Sequence, residues 1–325
     1  MRFLVTGATG FVGVEVARQL DAAGHEARLM VRRPGRAALL RSLGGELVQA
    51  DLESPDSLRR AVEGADVVLH LAARATFEPY ARLRPTIVDG SAALMNAAAD
   101  AGVSRFVFAS SLFVYGSQTE PIDADTRPVP VLGYGRAKLE AEERLTSLAA
   151  EKGIALSVLR LPHVYGAQSL LFDQVRSGLV IFPGRPDNMF SHLHVSDAAR
   201  AMVLAGEQGW RGALPVTDSR SVRWADFFGV MHRFYPRFRL VRVPGWAALA
   251  GVTALRPWQA LNSAPTLHTA DTIRGFRLNL PARPGLFWDE VGAEPLYASV
   301  EEGIPAALDD VLSFRWSHPV SDRVA

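Results

Sequence analysis

The chain of 325 residues contains no cysteine, and this absence excludes several chemistries. Disulfide bonds, thiolate nucleophiles and cysteine metal sites are all ruled out. A chain without disulfides fits a reducing compartment, and we therefore expect a cytoplasmic protein. The eight histidines also lack metal-ligand spacing, so we expect no bound metal.

The sequence also lacks an excess of charge and long hydrophobic runs. Lys and Arg number 35 against 34 Asp and Glu, a net charge of +1, with no basic block that would attract nucleic acid. The longest later apolar stretch, Gly245 to Leu255, is well short of the about 20 residues that cross a bilayer. We expect no integral membrane segment. This stretch can form a buried or dimer-facing helix, or lie on a membrane surface.

What is present begins with a strand, a glycine turn and a helix start. The apolar run at residues 2–5 leads into Thr6-Gly-Ala-Thr-Gly-Phe-Val-Gly13, and apolar positions at helical spacing follow. Glycines three apart allow a tight turn, close approach of a pyrophosphate and packing of the helix on the strand. The helix N-terminus offers unpaired N–H groups to an anion. A flexible turn is the alternative, but this context predicts dinucleotide binding at Gly7, Thr9, Gly10, Phe11, Val12 and Gly13.

Strands and helices then alternate along the first half of the chain. The pattern predicts strands at 27–31, 47–49, 67–71, 105–109 and 155–159, and helices from 55, over 87–102 and over 133–152. Alternation without hairpin signals predicts an α/β fold with a Rossmann-type, doubly wound parallel sheet. We expect residues 1–162 to form the dinucleotide-binding domain, with 190–208 returning to it. Residues 163–325 would form mainly a smaller C-terminal substrate lobe.

The end of the second predicted strand carries Arg32 and Arg33. In a dinucleotide fold this position faces the adenosine ribose, where an acidic residue selects NAD. Arginines can instead pair with a 2′-phosphate, so the sequence favours NADP(H), with NAD(H) still possible. A solvated basic loop is the alternative explanation. Asp51, after the third strand, could accept a hydrogen bond from the adenine amino group.

Two further motifs carry potential chemistry. Tyr134-Gly-Arg-Ala-Lys138 places a phenol and an ammonium on one helix face, where Lys138 would lower the pKa of Tyr134 toward the working range of a general base. Ser110 and Ser111 follow the fifth strand at the carboxyl edge of the sheet, where a hydroxyl can donate to a substrate carbonyl. Each motif alone has a plain alternative, a surface helix pair or a strand-end turn.

Taken in order, the motifs resemble the extended short-chain dehydrogenase/reductase family, also described as the NAD-dependent epimerase/dehydratase family. The resemblance covers nearly the whole chain. It rests on TGxxGxxG at residues 6–13, the DL pair at 51–52, HLAA at 70–73, SSxxVYG at 110–116, RxPxVYG at 160–166 and HVxD at 194–197.

The resemblance implies roles for individual residues. Ser111 rather than Ser110 would be catalytic, with Tyr134 as the acid/base and Lys138 as its partner and a cofactor contact. Further cofactor contacts are implied at Leu52, Leu71, Ala72, Ala73, Pro162, His163 and Val164. The helix from Ile87 and the helix carrying Tyr134 resemble the pair that forms a four-helix interface between family members, which predicts a homodimer. Alternatively, these helices only cover the sheet.

Departures from the family pattern narrow the substrate class. His163 stands where nucleotide-sugar enzymes of the family commonly have Asn, and Phe190 stands where they commonly have an Arg. A diphosphate needs charge-assisted donors, so these replacements favour the ketone-reducing, hydroxysteroid-dehydrogenase-like branches. Ile87 replaces the Asn of NVxGT, which puts a supporting hydrogen bond in doubt. We expect a small, fairly apolar substrate bound near Phe77, Phe113, His163 and Phe190.

Three functions remain open from the sequence. The preferred one is hydride transfer between NADP(H) and a ketone or secondary alcohol. The second is a nucleotide-sugar epimerase or dehydratase with tightly bound NAD, and the third is a non-catalytic dinucleotide sensor.

Overall fold

A seven-stranded parallel sheet forms the centre of the protein in the computed structural model, which describes residues 1–37, 39–74, 77–261 and 269–317. The strands are β1 (Arg2–Thr6), β2 (Glu26–Val31), β3 (Glu46–Gln49), β4 (Val67–His70), β5 (Arg105–Ser111), β6 (Ala155–Leu161), β7 (His163–Tyr165), β8 (Leu179–Pro183), β9 (Met189–Phe190), β10 (His192–His194), β11 (Gly212–Pro215), β12 (Val222–Arg223) and β13 (Arg239–Val243).

The helices alternate with these strands in the first half and cluster in the second. They are α1 (Phe11–Ala22), α2 (Pro55–Val62), α3 (Tyr80–Arg84), α4 (Gly90–Asp100), α5 (Gly133–Lys152), α6 (Leu170–Arg176), α7 (Val195–Gln208), α8 (Trp224–Phe234), α9 (Gly245–Leu261), α10 (Ala270–Gly275), α11 (Leu286–Glu290) and α12 (Val300–Ser317). Among the helices so described, none is both long and apolar enough to cross a membrane.

The strand order in the sheet is β11-β6-β5-β4-β1-β2-β3, with all neighbouring pairs parallel. The predicted Rossmann-type architecture is therefore confirmed. The chain reverses its direction of winding between β1 and β4, so a crevice opens beyond their carboxyl ends. Four of the five residues of β1 and all of β4 are buried, because helices cover both faces of the sheet.

Each face of the sheet has its own apolar core. On one face α1 packs against α7, whose small residues allow a close approach; Gly206 lies within van der Waals reach of Phe3 and Leu69. On the other face α2, α4 and α5 cover the strands. A third, aromatic-rich core holds the remaining elements together around Phe172, Phe182, Trp224 and Phe227.

Three local features differ from the pattern that the sequence predicts. The predicted helix over 87–102 ends at Asp100 and follows a π turn over Pro85–Asp89, in which the N–H of Gly90 bonds to the carbonyl of Pro85. Strand β5 extends to Ser111, so both serines belong to the strand and pair in register with β6. Strand β11 was not predicted, since its sequence, Gly-Ala-Leu-Pro, has no β-branched residue and the strand lies at the sheet edge.

A buried polar network ties β5, β6 and α5 together. Arg160 of β6 pairs with Glu142 of α5 at 2.7 Å and donates to the hydroxyl of Tyr115, also at 2.7 Å. Ser110 donates to the same carboxylate. Glu142 and Arg160 are 4% and 8% exposed, so neither charge can be satisfied by water. The network fixes α5 relative to the strands whose ends form the carboxyl edge.

Removing one partner of this pair should therefore destabilise the fold. We expect Glu142→Ala to lower the free energy of unfolding by about 3–5 kcal/mol, because the charge of Arg160 then stays buried without a counter-charge. Urea unfolding followed by circular dichroism measures the loss. Glu143→Ala, at the exposed neighbouring position, is the matched control and should change stability by less than about 0.5 kcal/mol. A loss below about 1 kcal/mol for Glu142→Ala would contradict the argument.

Candidate active site

The turn between β1 and α1 is fixed against the end of β4. Gly7 has a φ of +71°, and a Cβ added there would lie 2.7 Å from the backbone nitrogen of Ala72. A Cβ on Gly13 would lie 2.1 Å from the carbonyl oxygen of Gly7. Both positions therefore require glycine. The space that side chains would otherwise fill is the kind of cradle that a pyrophosphate needs at a helix N-terminus, so these residues fit a dinucleotide.

A buried hydrogen-bond chain holds this turn in place. Ser91 donates to the carbonyl of Ile87 at 2.6 Å, so it accepts from Nε2 of His70 at 2.8 Å. The Nδ1 atom of His70 then accepts from the hydroxyl of Thr6 at 2.7 Å, and Thr6 accepts from the N–H of Ala72. Burial, reinforced by the charge of Lys138, lowers the pKa of His70 to about 3, and the imidazole stays neutral.

Ile87, the residue that replaces the family's Asn, contributes to this chain only through its backbone. Its side chain is buried in the core, and its carbonyl oxygen accepts from the hydroxyl of Ser91. Every residue type has this carbonyl, so it does not replace a side-chain hydrogen bond of the family's Asn. Thr6 and Ser91 were not predicted as parts of the site, although the Thr at the strand end and the small polar residue four positions after Ile87 were visible in the sequence.

The remaining predicted cofactor residues lie around the crevice with differing exposure. Thr9 and Gly10 are exposed, and Phe11, Val12, Leu71, Ala72 and Ala73 are half-buried. The Asp51 carboxylate is half-buried and accepts from the N–H of Glu53 at 3.1 Å. The Leu52 side chain belongs to the core and packs at Gly90, so any contact it makes with a ligand would have to be through its backbone.

Arg32 and Arg33 follow β2, the neighbour of β1 on the side away from β4. Both side chains are exposed. The ion pairs formed within the described parts of the chain include neither of them. Both guanidinium groups are therefore available at the strand end where a ribose would lie.

Ser111 and Tyr134 line one cavity of about 310 Å³. Ser111 ends β5, and its Oγ accepts from the N–H of Phe113 at 3.3 Å. Ser110 points instead to Glu142 within the buried network. Within the described ranges, the cavity is lined by Phe77, Ser111, Phe113, Tyr134, Pro162, His163, Val164, Phe190, Trp224, Thr272, Gly275 and Phe276. The four predicted substrate residues are all in this set, together with the unpredicted Trp224, Thr272 and Phe276.

Lys138 lies one helical turn after Tyr134, behind the cavity. Its Nζ donates to the carbonyl of Ala109 at 2.7 Å and lies 5.8 Å from the centre of the Tyr134 ring. Burial lowers the pKa of Lys138 to about 7, against the opposing effect of Glu142. Burial also raises the pKa of Tyr134 to about 12. The net shift of the Tyr134 pKa is therefore upward, opposite to the expected direction, because burial is its cause.

The cavity walls are aromatic rings in edge-on or tilted contact. Phe77 and Phe113 have centroids 5.1 Å apart, and Phe113 lies 6.1 Å from Phe190. Trp224 closes the opposite side, 5.2 Å from Phe190 and 5.3 Å from Phe276. Neither Arg nor Lys is among the lining residues that the structure describes. The cavity is therefore suited to an apolar ligand with few polar anchors.

His163 contributes a polar group to this wall through a pair of histidines. Its Nδ1 lies 3.0 Å from Nδ1 of His192, and burial lowers the pKa of both rings, that of His163 to about 3. The Nε2 atom of His192 is buried and has no partner in the described structure. An orphan N–H is avoided when His192 carries its proton on Nδ1, which leaves His163 with its proton on Nε2. His163 can then donate to a ligand.

A metal centre has no basis in the described residues, which contain no group of three or more His, Asp or Glu able to hold an ion. The fold and the cavity instead define a dinucleotide-dependent enzyme of the Rossmann class, with a Ser, Tyr and Lys at the sheet edge. A family model agrees with this class. The chain belongs to the NAD dependent epimerase/dehydratase family, whose model matches residues 3–215. It is an NAD(P)-dependent enzyme of the extended short-chain dehydrogenase/reductase type.

Relatives in this family include reductases. A ceramide reductase of Caulobacter vibrioides is 29% identical over 273 residues, which cover 81% of this chain and 80% of that protein. A 4-hydroxy-2-methyl-3-oxo-4-farnesyl-3,4-dihydroquinoline-1-oxide ketoreductase of Stigmatella aurantiaca is 29% identical over 253 residues, covering 71% and 72%. The UDP-glucose 4-epimerase of Thermotoga maritima, solved with UDP-glucose, has a TM-score of 0.79 at 22% identity and covers 98% of this chain and 99% of its own. That likeness shows the shared fold.

The lowered pKa of Lys138 has a consequence for stability. Between about pH 7 and the ordinary lysine pKa, the unfolded chain binds a proton that the folded protein does not, so this residue's contribution to stability rises with pH. We expect the free energy of unfolding of the wild type to rise relative to Lys138→Met, by up to about 3 kcal/mol between about pH 7 and 9.5. Urea unfolding of both proteins at the two pH values tests this. Parallel pH profiles would contradict the lowered pKa.

Proposed function

We propose that the protein is an NADP(H)-preferring ketone reductase that also runs as a secondary-alcohol dehydrogenase on a fairly apolar small molecule. The observation that carries the proposal is the shared cavity, in which Ser111 and Tyr134 face an aromatic wall whose described residues include no Arg or Lys. Two relatives are reductases by name, which supports reduction. A nucleotide-sugar epimerase or dehydratase is the second candidate, but its diphosphate needs charge-assisted donors that this wall does not offer.

The proposed chemistry assigns proton transfer to Tyr134. Because burial raises its pKa to about 12, the phenol is protonated at neutral pH and can act as a general acid. A bound nicotinamide supplies the hydride to the carbonyl carbon. Tyr134 gives its proton to the carbonyl oxygen as negative charge develops there, and Ser111 donates a hydrogen bond to the same oxygen. The product is the secondary alcohol, and the reverse reaction returns the proton to Tyr134.

Lys138 and His163 take supporting roles in this proposal. The amine of Lys138 is anchored on the carbonyl of Ala109, and its remaining hydrogens can hold the nicotinamide ribose. In its charged form it also favours the phenolate that alcohol oxidation requires. His163 would donate from Nε2 to a second oxygen of the substrate or cofactor. The aromatic wall keeps water away from the reacting carbon.

The same proposal includes a preference for NADP(H), a homodimer and a cytoplasmic location. Arg32 and Arg33 would pair with the 2′-phosphate of NADP(H), while NAD(H) is accepted more weakly. Helices α4 and α5 lie side by side on one face of the sheet and would pair with their copies in a homodimer; alternatively, they only cover the sheet. The absence of cysteine favours a cytoplasmic location.

The test of the reaction is Tyr134→Phe. Removal of the hydroxyl takes away the proton donor but leaves the ring in its aromatic contacts, so we expect kcat to fall at least about 100-fold. The Kd for NADPH should stay within about twofold of the wild type. Turnover is measured as NADPH consumption across a panel of aryl and alicyclic ketones.

Tyr235→Phe, a half-buried tyrosine outside the cavity, is the control and should keep full activity. Residual activity of Tyr134→Phe within about tenfold of the wild type would refute its role as the acid. If the wild type turns over no ketone, the remaining candidates are the epimerase or dehydratase and a non-catalytic dinucleotide sensor.

Cofactor choice is tested by titrating NADPH and NADH separately. We expect the wild type to bind NADPH at least about tenfold more tightly, because a guanidinium pair with the 2′-phosphate adds a charge-assisted hydrogen bond. Arg32→Asp should abolish this preference, whereas Arg60→Asp, an exposed position on α2, should retain it. Equal affinity for both cofactors in the wild type would contradict the assignment. Tight NAD that survives purification would favour the epimerase or dehydratase.

A further inference from the structure

An exposed apolar surface lies on the far side of the cavity wall from the catalytic residues. It consists of Leu179 and Ile181 of β8, Val241 of β13 and Trp246 of α9, whose exposed fractions are 45%, 59%, 42% and 75%. We call it the β8–α9 face. Strands β8 and β13 pair in parallel with Ile181 opposite Val241, so these side chains share one side of the ribbon.

The first part of α9 extends this face. Residues 245–254 have the sequence Gly-Trp-Ala-Ala-Leu-Ala-Gly-Val-Thr-Ala, without a charged residue. None of these ten residues is buried. Five of them are exposed and five are half-buried, so this uncharged stretch leaves part of its apolar surface uncovered.

The chain segment that forms β13 and the start of α9 carries charge of one sign. Between Phe227 and Ala270 the sequence has no Asp or Glu but has five Arg. Four of these, Arg233, Arg237, Arg239 and Arg242, are exposed. The ion pairs found within the described ranges include none of the four. Two of them, Arg239 and Arg242, flank Val241 on β13, and Arg239 stands in register with Leu179, so positive charge lies next to the apolar side chains of the ribbon.

We propose that the β8–α9 face docks the protein on the surface of an anionic lipid bilayer. Aliphatic side chains and a tryptophan partition into the interfacial region, where the indole ring is favoured. Arginines at the border pair with lipid phosphates and are attracted by the negative surface potential. The helix lies along the bilayer surface and does not cross it.

The charge pattern also decides against a second copy of this chain as the occupant. A two-fold contact through this face would bring Arg239 and Arg242 of one copy close to the same residues of the other. The apolar side chains would gain burial, but the like charges would oppose it. An anionic bilayer satisfies the apolar surface and the arginines together.

The β8–α9 face lies close to the cavity, so docking on a bilayer would help substrate delivery. This part of the inference rests on the proposed function. Phe182, the inward-facing neighbour of Ile181, packs on Phe276 of the cavity wall at 5.6 Å. Arg277, the next residue, lies beneath the backbone of Gly245 at the start of α9. One layer of side chains therefore separates the docking surface from the cavity. A ketone that partitions into the bilayer would be delivered next to its site.

Vesicle flotation of the full chain tests the docking itself. We expect binding to vesicles of phosphatidylcholine with about 30% phosphatidylglycerol, weak binding to phosphatidylcholine alone, and a loss of binding as salt is raised. The double variant Ile181→Glu/Trp246→Glu and the double variant Arg239→Glu/Arg242→Glu should each bind at least about tenfold more weakly.

Two control variants test whether a change at any exposed apolar residue, or at any pair of surface arginines, would weaken vesicle binding equally. Val129→Glu replaces another apolar side chain, 57% exposed, and Arg60→Glu/Arg211→Glu reverses two exposed charges elsewhere. Both should bind anionic vesicles like the wild type, and all variants should keep the thermal unfolding midpoint.

Three results would overturn the proposal. The first is that the wild type does not bind anionic vesicles at low salt. The second is that the face variants and the controls lose vesicle binding equally. The third is that light scattering shows the face variants dissociating a dimer while their vesicle binding is unchanged.

NADPH binding is measured in parallel. Because the face variants leave the nucleotide crevice intact, a failure of docking stays distinct from a failure of the reductase assignment.

Discussion

The ion pair between Glu142 and Arg160 is the interaction on which the site depends. It is buried where β5, β6 and α5 meet, and burial makes its geometry strict, since either charge alone would be costly. By engaging Ser110 it turns the first of two adjacent serines away from the cavity, and Ser111 lines the cavity. The ion pair also fixes helix α5, on which Lys138 lies one turn before Glu142. Thus a contact outside the cavity sets the positions of the groups inside it.

The sequence predicts the sheet well because parallel strands buried on both faces are nearly continuous apolar runs. The π turn at Pro85–Asp89 and the edge strand β11 were both missed, and one reason explains the two. Their hydrogen bonds depend on neighbours that local patterns do not describe. The motif residues at the sheet edge were predictable, since each sits at a strand end or on one helix face.

The rest of the site arises from tertiary packing. Trp224 and Phe276 reach the cavity from α8 and from just after α10, more than 80 residues beyond β5 in the sequence, and no spacing rule connects them to Ser111. The direction of the pKa shift of Tyr134 was mispredicted because the sequence shows the neighbouring ammonium but not the depth of burial. Desolvation is a property of the assembled cavity, and it is the cause of the upward shift.

The contact between Gly7 and Ala72 bears on the energetics of ligand binding. Since the glycine turn is already locked to the end of β4 through Thr6 and His70, its backbone has little freedom left to lose. Ordering a loop upon association normally subtracts from affinity, and here that entropic penalty is met when the chain folds. The stability of the sheet thus contributes directly to the affinity for a dinucleotide, so mutations deep in β1 or β4 can weaken binding without touching the ligand.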